Sequence, residues 1–258
     1  NMSGAGTLIL GSEHSKAVAE IKEDCNLEEG KDFLWIEDIT GSVTEGVPNW
    51  AVSFSQQIEQ TDPMPEIKIP ATMRKAQAMY IFTSGTTGLP KASVQKHSKI
   101  VNGMDASRNI GLKLVADDVL YVCLPSYHAT GLLIGFTAAL NSGATVFLKR
   151  KFSASHFLDD VRENNCNAFI YIGELCRYLL AQPEQPDDGD NPLVKITGNG
   201  LRPDIWMEFK SRFKIEKIIE FYGAENRFEH LAELFRQYDV WIIAIAGFSP
   251  IPSKLFTI

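Results

Sequence analysis

The chain has 258 residues, of which 45% are hydrophobic and 22% are charged, and its formal net charge is -7. This composition is typical of globular proteins and excludes a disordered or collagen-like chain. The acidic excess, 32 Asp and Glu against 25 Lys and Arg, argues against a general nucleic-acid-binding protein. The length indicates one large domain, our first interpretation, or two small ones.

Cysteine usage and hydropathy predict a soluble protein of a reducing compartment. Cys25, Cys123, Cys166 and Cys176 form no Cys-x-x-Cys pair, so we interpret them as reduced core thiols. The apolar run 240–248 is about half as long as the roughly 20 residues that a membrane-spanning helix needs. Residues 1–10 lack the basic start of a signal peptide, so we expect none.

The first third of the chain has the pattern of an α/β unit. A short strand is predicted at 7–10, an amphipathic helix at 15–29 and a second strand at 33–36. Residues 60–73 contain three prolines, which predicts a connector to the next unit.

Strand and helix patterns then alternate to residue 222. Strands are predicted at 78–83, 119–124, 144–148, 168–172, 193–197 and 217–222. Helices are predicted at 97–108, 130–141, 153–164, 173–180 and 203–212, and a loop at 182–192. This alternation predicts an α/β fold with a mostly parallel sheet and flanking helices.

The most informative motif is MYIFTSGTTGLPKA at residues 79–92, where an apolar strand meets a turn rich in hydroxyls and glycine. Glycines let a backbone approach phosphates closely, hydroxyls and amides donate hydrogen bonds, and Lys91 supplies positive charge. The P-loop pattern is excluded because Leu89 and Pro90 separate Lys91 from the second glycine. Ser84 lacks the preceding glycine of a hydrolase nucleophile, because Phe82 occupies that position. A structural turn is the alternative, and we favour a polyphosphate site.

Further motifs follow in order: LPSYH at 124–128, KFSASHFLDD at 151–160, YIGELCRYLL at 171–180, GNGLRPDIW at 198–206 and EFYGA at 220–224. Together with the 83–91 loop they resemble the adenylate-forming acyl-CoA synthetases, over about residues 7–224. Within that superfamily they resemble the fatty acid transport protein or very-long-chain acyl-CoA synthetase branch. The resemblance implies that the chain is part of the large N-terminal domain of such an enzyme.

The resemblance implies a two-step ligation that uses ATP, Mg²⁺ and coenzyme A. A long- or very-long-chain fatty carboxylate attacks the α-phosphate of ATP, giving an acyl-adenylate and pyrophosphate. The thiol of coenzyme A then displaces AMP. The first step brings anionic groups together, so it needs cations and oriented donors in place beforehand.

The resemblance also implies roles for individual residues. The phosphates would be bound by Thr83, Ser84, Gly85, Thr86, Thr87, Gly88 and Lys91, and Lys91 and Glu225 would be catalytic. The rest of ATP would be bound by Asn199, Gly200, Tyr222, Gly223 and Ala224, with the Tyr222 ring stacked on adenine. The acyl substrate would be bordered by Tyr127, His128 and Gly173, and Mg²⁺ would be held by Glu225.

Several of these residues have structural alternatives. The Gly198–Gly200 segment could be only a tight turn, and Tyr222 could be a core residue at a strand end. His128 could have a structural role instead of bordering the acyl site. Glu174 and Arg177 are spaced to pair across one helical turn.

The resemblance breaks after Ala224. The family motif continues Thr-Glu-Gly-Asn, whereas here Glu225 and Asn226 follow at once, without the threonine and glycine. A one-residue shift would redirect the Glu225 carboxylate. The later aspartate, hinge and mobile C-terminal domain of the family have no counterpart here. We therefore expect a truncated chain with little turnover of its own, since such a lid completes the second step.

The tail at 227–258 looks unrelated to the preceding 1–226 domain. An amphipathic helical face is predicted from Phe228, Leu231, Leu234 and Phe235, followed by an apolar run. The segment GFSPIPSKLFTI resembles the re-entrant segment of DedA-like bacterial membrane proteins. A terminal helix with an extended tail on the domain is the equally weighted alternative.

Three functions stay open from the sequence. They are a fatty acid–CoA ligase, a non-catalytic nucleotide- or acyl-binding remnant, and a membrane-tethered fusion with a DedA-like segment. We expect fatty acid and coenzyme A as partners, no nucleic acid, and a possible membrane surface. The expected location is the cytoplasm or the cytosolic face of a membrane.

Overall fold

The computed structural model describes residues 4–38, 46–62, 71–83, 91–109, 111–223 and 241–245. The chain forms two compact units, Asn1–Ala71 and Thr72–Ile258. Within the described residues, none of the helices combines the length and the apolar character needed to cross a membrane.

The first unit contains a three-stranded parallel sheet in the order β1-β2-β3. Its elements are β1 (Leu8–Gly11), α1 (Ser15–Ile21), β2 (Phe33–Ile36), β3 (Val52–Ser53) and α2 (Phe54–Glu59). Its buried apolar residues are Leu10, Val18, Phe33, Trp35, Trp50 and Ala51. The Ser53 hydroxyl caps α2 by accepting from the Gln56 amide, which satisfies a donor that the helix leaves unpaired.

The predicted helix at 15–29 is too long. The α-helix ends at Ile21, a 3-10 turn covers Lys22–Cys25, and Asn26 then adopts a left-handed conformation with φ of 55°. Asparagine tolerates this conformation and commonly ends helices. The short β3 and α2 were not predicted, because six-residue helices and two-residue strands carry little periodicity.

The second unit is built on a six-stranded sheet in the order β11-β10-β9-β8-β6-β7, and every pairing in it is parallel. Its strands are β6 (Val119–Val122), β7 (Thr145–Leu148), β8 (Ala168–Ile172), β9 (Lys195–Asn199), β10 (Lys217–Gly223) and β11 (Trp241–Ile245). Its helices are α3 (His97–Asn109), α4 (Thr137–Ser142), α5 (Phe157–Glu163), α6 (Gly173–Leu180) and α7 (Pro203–Arg212). The predicted α/β fold with a parallel sheet is confirmed.

Several segments of this unit differ from prediction, and the helix predicted at 153–164 begins only at Phe157. The helix predicted at 130–141 is a π-helix over Thr130–Phe136 followed by α4, which ends at Gly143 with φ of 70°. The apolar run of the tail forms β11, which pairs in parallel with β10 and so extends the main sheet. The predicted amphipathic helix at 228–235 and the DedA-like segment lie outside the described residues.

A separate antiparallel hairpin precedes α3. It consists of β4 (Gln77–Thr83) and β5 (Lys91–Lys96), with Thr83 and Lys91 as Cα partners. The sequence predicted β4 but not β5, whose side chains are mostly polar and exposed. Strand β5 is therefore specified by its pairing with β4 instead of by an apolar pattern.

The two faces of the main sheet are covered by different helices. Phe157 of α5 packs on Phe169 of β8, with ring centroids 4.8 Å apart. A Cβ on Gly135 of the π-helix would instead contact Ile170, the next residue of β8. Because adjacent strand residues point to opposite faces, α5 and the π-helix lie on opposite sides of the sheet.

A polar network joins β6 to α5 inside this core. The Tyr121 hydroxyl donates to Asp160 Oδ2 at 3.0 Å, and Lys149 Nζ donates to Asp160 Oδ1 at 2.7 Å. Burial, with the nearby Asp160 carboxylate, raises the pKa of Tyr121 far above its usual value. All three groups are thereby satisfied, as a buried carboxylate requires.

The four cysteines form no disulfide in the structure, and the predicted core position holds for three of them. Cys123, Cys166 and Cys176 are buried, and Cys25 is partly buried. Burial raises the pKa of Cys123 and of Cys166 to about 12, so these thiols stay protonated at neutral pH.

Candidate functional site

The strand order β9-β8-β6-β7 makes the connections after β6 and β8 diverge at the carboxyl edge of the main sheet, and we call the place where the ends of β6, β8 and β9 lie the crevice. After β6 the chain passes to the π-helix on one face, and after β8 it enters α6. Helix α6 lies on the opposite face with α5 and α7, because Leu158 of α5, Leu179 of α6 and Arg212 of α7 line one surface cleft. Ligands of open α/β sheets bind where consecutive connections diverge in this way.

Glycines bring the ends of β8 and β9 unusually close. A Cβ on Gly173 would collide with the carbonyl oxygen of Gly200, and one on Gly198 would collide with the carbonyl oxygen of Tyr171. Gly200 has φ of +84°, a backbone conformation that residues with a side chain rarely adopt. Side chains are therefore excluded at Gly173 and Gly198, because backbone of the neighbouring segment occupies that space.

Asn199 is the last residue of β9 and is exposed at this edge. The sequence placed the strand two residues earlier and treated Asn199 as part of a turn. Its amide oxygen accepts a hydrogen bond from the Thr130 hydroxyl at 3.4 Å, and Thr130 is buried. This contact links the end of β9 to the start of the π-helix across the crevice.

The loop after β6 provides the other wall. The Thr130 amide donates to His128 Nδ1 at 3.2 Å, and the His128 carbonyl accepts from the Leu132 amide. His128 is itself exposed, as is Tyr127, with 78% of its surface accessible. The ring of His128 thus has a local structural bond and also borders solvent at the crevice.

The start of α6 adds charge beside the crevice. Arg177 donates to Glu174 Oε2 through Nε at 2.9 Å and Nη2 at 2.6 Å, as the spacing predicted. This bond lowers the pKa of Glu174, and the charge of Arg202 lowers it further. Glu174 is therefore ionised at neutral pH. Thr130 and Arg202 were not predicted as site neighbours, because their proximity depends on contacts between distant segments.

The proposed phosphate loop is only partly described. The structure gives the backbone of Thr83 and places Lys91, which is exposed, opposite it at the base of the hairpin. Ser84, Gly85, Thr86, Thr87 and Gly88 lie outside the described residues.

The remaining predicted residues lie on or after β10. Tyr222 and Gly223 end that strand, opposite Ala244 and Ile245 of β11, whereas Ala224 and Glu225 lie outside the described residues. Among the residues that the structure describes, no three His, Cys, Asp or Glu side chains cluster as metal ligands. The structure therefore gives no geometry for Mg²⁺, and Glu225 stays a prediction.

The family model of the AMP-binding enzymes matches residues 1–225. The chain belongs to this family. As an AMP-binding enzyme it is 39% identical over 251 residues to the medium/long-chain-fatty-acid–CoA ligase FadD6 of Mycobacterium tuberculosis, covering 96% of this chain and 38% of that protein. It is 42% identical over 223 residues to human long-chain fatty acid transport protein 1, covering 86% of this chain and 33% of that protein.

The fold of this AMP-binding chain also matches solved structures. A benzoate CoA ligase from Burkholderia xenovorans superposes with a TM-score of 0.66 at 21% identity, over 84% of this chain and 40% of that structure. The fold is therefore shared at low identity. The chain spans between a third and two fifths of the length of the curated relatives it matches.

Proposed function

We propose that this AMP-binding chain is the nucleotide-binding part of a long-chain fatty acid–CoA ligase. Its identity of 39% and 42% to a fatty acid–CoA ligase and a fatty acid transport protein supports this substrate class. The observation that carries the proposal is the match to the AMP-binding family over residues 1–225, and the divergence of the connections at the ends of β6 and β8 gives the place where a nucleotide would bind.

In the proposed reaction, ATP lies along the carboxyl edge of the sheet. The Asn199 amide and the backbone at Gly200 contact the adenine, with Tyr222 stacked on it and Gly223 and Ala224 beside it. The phosphates accept hydrogen bonds from Thr83, Lys91 and the loop between them. Such donors stabilise the charge that develops when one anion attacks another.

The acyl carboxylate would enter beside His128, Tyr127 and Gly173. Its oxygen attacks the α-phosphorus of ATP, one O–P bond forms, and the bond to pyrophosphate breaks. The thiol of coenzyme A then attacks the acyl carbonyl, and AMP leaves. Mg²⁺, for which Glu225 is the proposed ligand, would neutralise phosphate charge when bound.

Exchange of radiolabelled pyrophosphate into ATP tests the first step. The chain is incubated with ATP, Mg²⁺ and oleate, and the label appearing in ATP is measured. We expect oleate-dependent exchange of the label into ATP. In Lys91→Ala this exchange should fall about 10²- to 10³-fold, because the variant lacks a positive charge that binds the phosphates.

Lys99→Ala is the matched control, since Lys99 is exposed at the start of α3, and its exchange should equal that of the parent chain. Nucleotide binding without exchange would support a non-catalytic remnant. If the chain neither binds nucleotide nor exchanges pyrophosphate into ATP, the proposal is contradicted.

A further inference from the structure

Three lysines meet at the amino-terminal edge of the main sheet, opposite the crevice. Lys195 begins β9 and Lys217 begins β10, and the two are Cα partners in the parallel pairing. Lys113 lies in the segment between α3 and β6, is exposed, and has φ of 50°. The cluster, which we call the lysine edge, therefore draws on three separate parts of the chain.

Both strand lysines reach toward the same segment. Lys195 Nζ donates to Asp118 Oδ2 at 2.6 Å and to the Lys113 carbonyl at 3.4 Å. Lys217 Nζ donates to the Gly111 carbonyl at 3.5 Å. These contacts place the two ammonium groups on one side of the sheet, near Lys113.

The carboxylate of Asp118 is already fully engaged. Its Oδ2 accepts from the Val115 amide at 2.7 Å as well as from Lys195, and its Oδ1 accepts from Asn167 Nδ2 at 2.8 Å. Because Asp118 is buried and contacts Lys195 directly, it neutralises the charge of Lys195 more than that of the other two lysines. In the part of the chain that the structure describes, no carboxylate forms an ion pair with Lys113 or Lys217 as Asp118 does with Lys195.

This arrangement is electrostatically unfavourable in the isolated chain. Neighbouring strands are about 4.8 Å apart, and like charges directly opposite each other destabilise a sheet. Burial, and then the charges of Lys113 and Lys195, lower the pKa of Lys217. The acids Asp117 and Glu216 adjoin the cluster in sequence but are exposed, where solvent screens their charges.

We propose that Lys113 and Lys217, beside the Asp118-paired Lys195, bind a phosphate dianion, either free or as the terminal group of a phosphate monoester. Ammonium groups bind phosphate as point charges and need no planar geometry. Locally unfavourable arrangements in folded proteins are expected at functional or strained sites, and a bound dianion would offset the repulsion between these two ammonium groups. The site lies at the opposite edge from the nucleotide crevice, so its test is independent of the proposed ligase activity.

Thermal unfolding of the whole chain in increasing phosphate tests the proposal. We expect a saturable rise of the midpoint with inorganic phosphate, and a parallel titration with glycerol 3-phosphate shows whether the monoester binds more tightly. Lys217→Gln and Lys113→Gln should each weaken the apparent affinity about tenfold, because a charge-assisted hydrogen bond is lost.

Two further readouts separate binding from general salt effects. Phosphate stabilises folded proteins without saturation by being excluded from their surface, and Lys99→Gln should show that effect together with the saturable one. Lys217→Gln should also raise the midpoint in the absence of phosphate, because a repulsive charge is removed. Identical responses of the parent chain and the Lys113→Gln, Lys217→Gln double variant to both ligands would overturn the proposal.

Discussion

At the scale of single residues, Gly173 and Gly198 determine how closely the carboxyl ends of β8 and β9 approach each other. In both cases the atom that an added Cβ would meet is a backbone carbonyl oxygen, which cannot rotate away as a side chain can. The crevice therefore depends on the absence of side chains at these positions. Asn199, by contrast, depends on its partner Thr130 to fix the orientation of its amide.

The substitution Gly173→Ala tests this close approach. The methyl group would push the Gly200 carbonyl aside, so we expect about 1–3 kcal/mol of destabilisation and weaker ATP binding. Urea unfolding measures the first and isothermal titration calorimetry the second.

Gly103→Ala is the matched control within α3, where the nearest atom to a new Cβ is the Leu133 carbonyl oxygen at 3.8 Å. Alanine there should stabilise the chain by about 0.5–1 kcal/mol, because glycine weakens helices. Equal stability of the two variants would show that the approach of Gly173 to Gly200 is not tight.

At the scale of elements, Arg212 of α7 holds the loop that follows α6. Its Nε donates to Asp188 Oδ2 at 2.6 Å, and Nη1 and Nη2 donate to the Leu180 and Pro183 carbonyls at 3.0 and 3.1 Å. The side chains of Arg212 and Asp188 are 9% and 6% exposed. One guanidinium thus joins two helices through a loop that the sequence predicted only as solvated.

Replacing Arg212 by alanine should therefore cost about 3–5 kcal/mol, because Asp188 would remain buried without its charge partner. Urea unfolding measures the change. Arg177→Ala removes the same type of side chain from an exposed pair with Glu174 and should change stability little. Similar losses in the two variants would contradict the argument that burial sets the effect.

At the scale of the whole molecule, the two units have very different cores. Among the described residues, the core cluster of the first unit has six buried apolar residues, whereas the cluster of the second extends over β6, β8, β9 and β10 with α5, α6 and α7. Small cores rarely offset the conformational entropy that folding removes.

We therefore expect residues 72–258 to fold without residues 1–71. Circular dichroism should show a cooperative thermal transition for the 72–258 fragment and a weak or non-cooperative one for the 1–71 fragment. The intact chain serves as the reference. A cooperative transition of the small fragment alone would show that its few buried aromatic side chains suffice.

Local pattern determined much of the fold. The order of strands and helices from residue 97 to 222 follows from the sequence pattern, because apolar side chains recur with the period of the helix or strand whose buried face they form. The phosphate-binding role of the loop from Thr83 to Lys91 stays a prediction from residue type, because residues 84–90 lie outside the described residues. Element ends were less accurate where tertiary contacts decide them, as at Ile21 and Asn199.

Only the tertiary structure decided which distant groups meet. The hairpin makes Lys91 the partner of Thr83, and polar β5 has no pattern that would predict this pairing. The contact of Thr130 with Asn199 spans 69 positions, and that of Lys195 with Asp118 spans 77. A sequence determines where each strand begins and which face is buried. Proximity across a sheet depends on strand order, which is set by the packing of all its helices together.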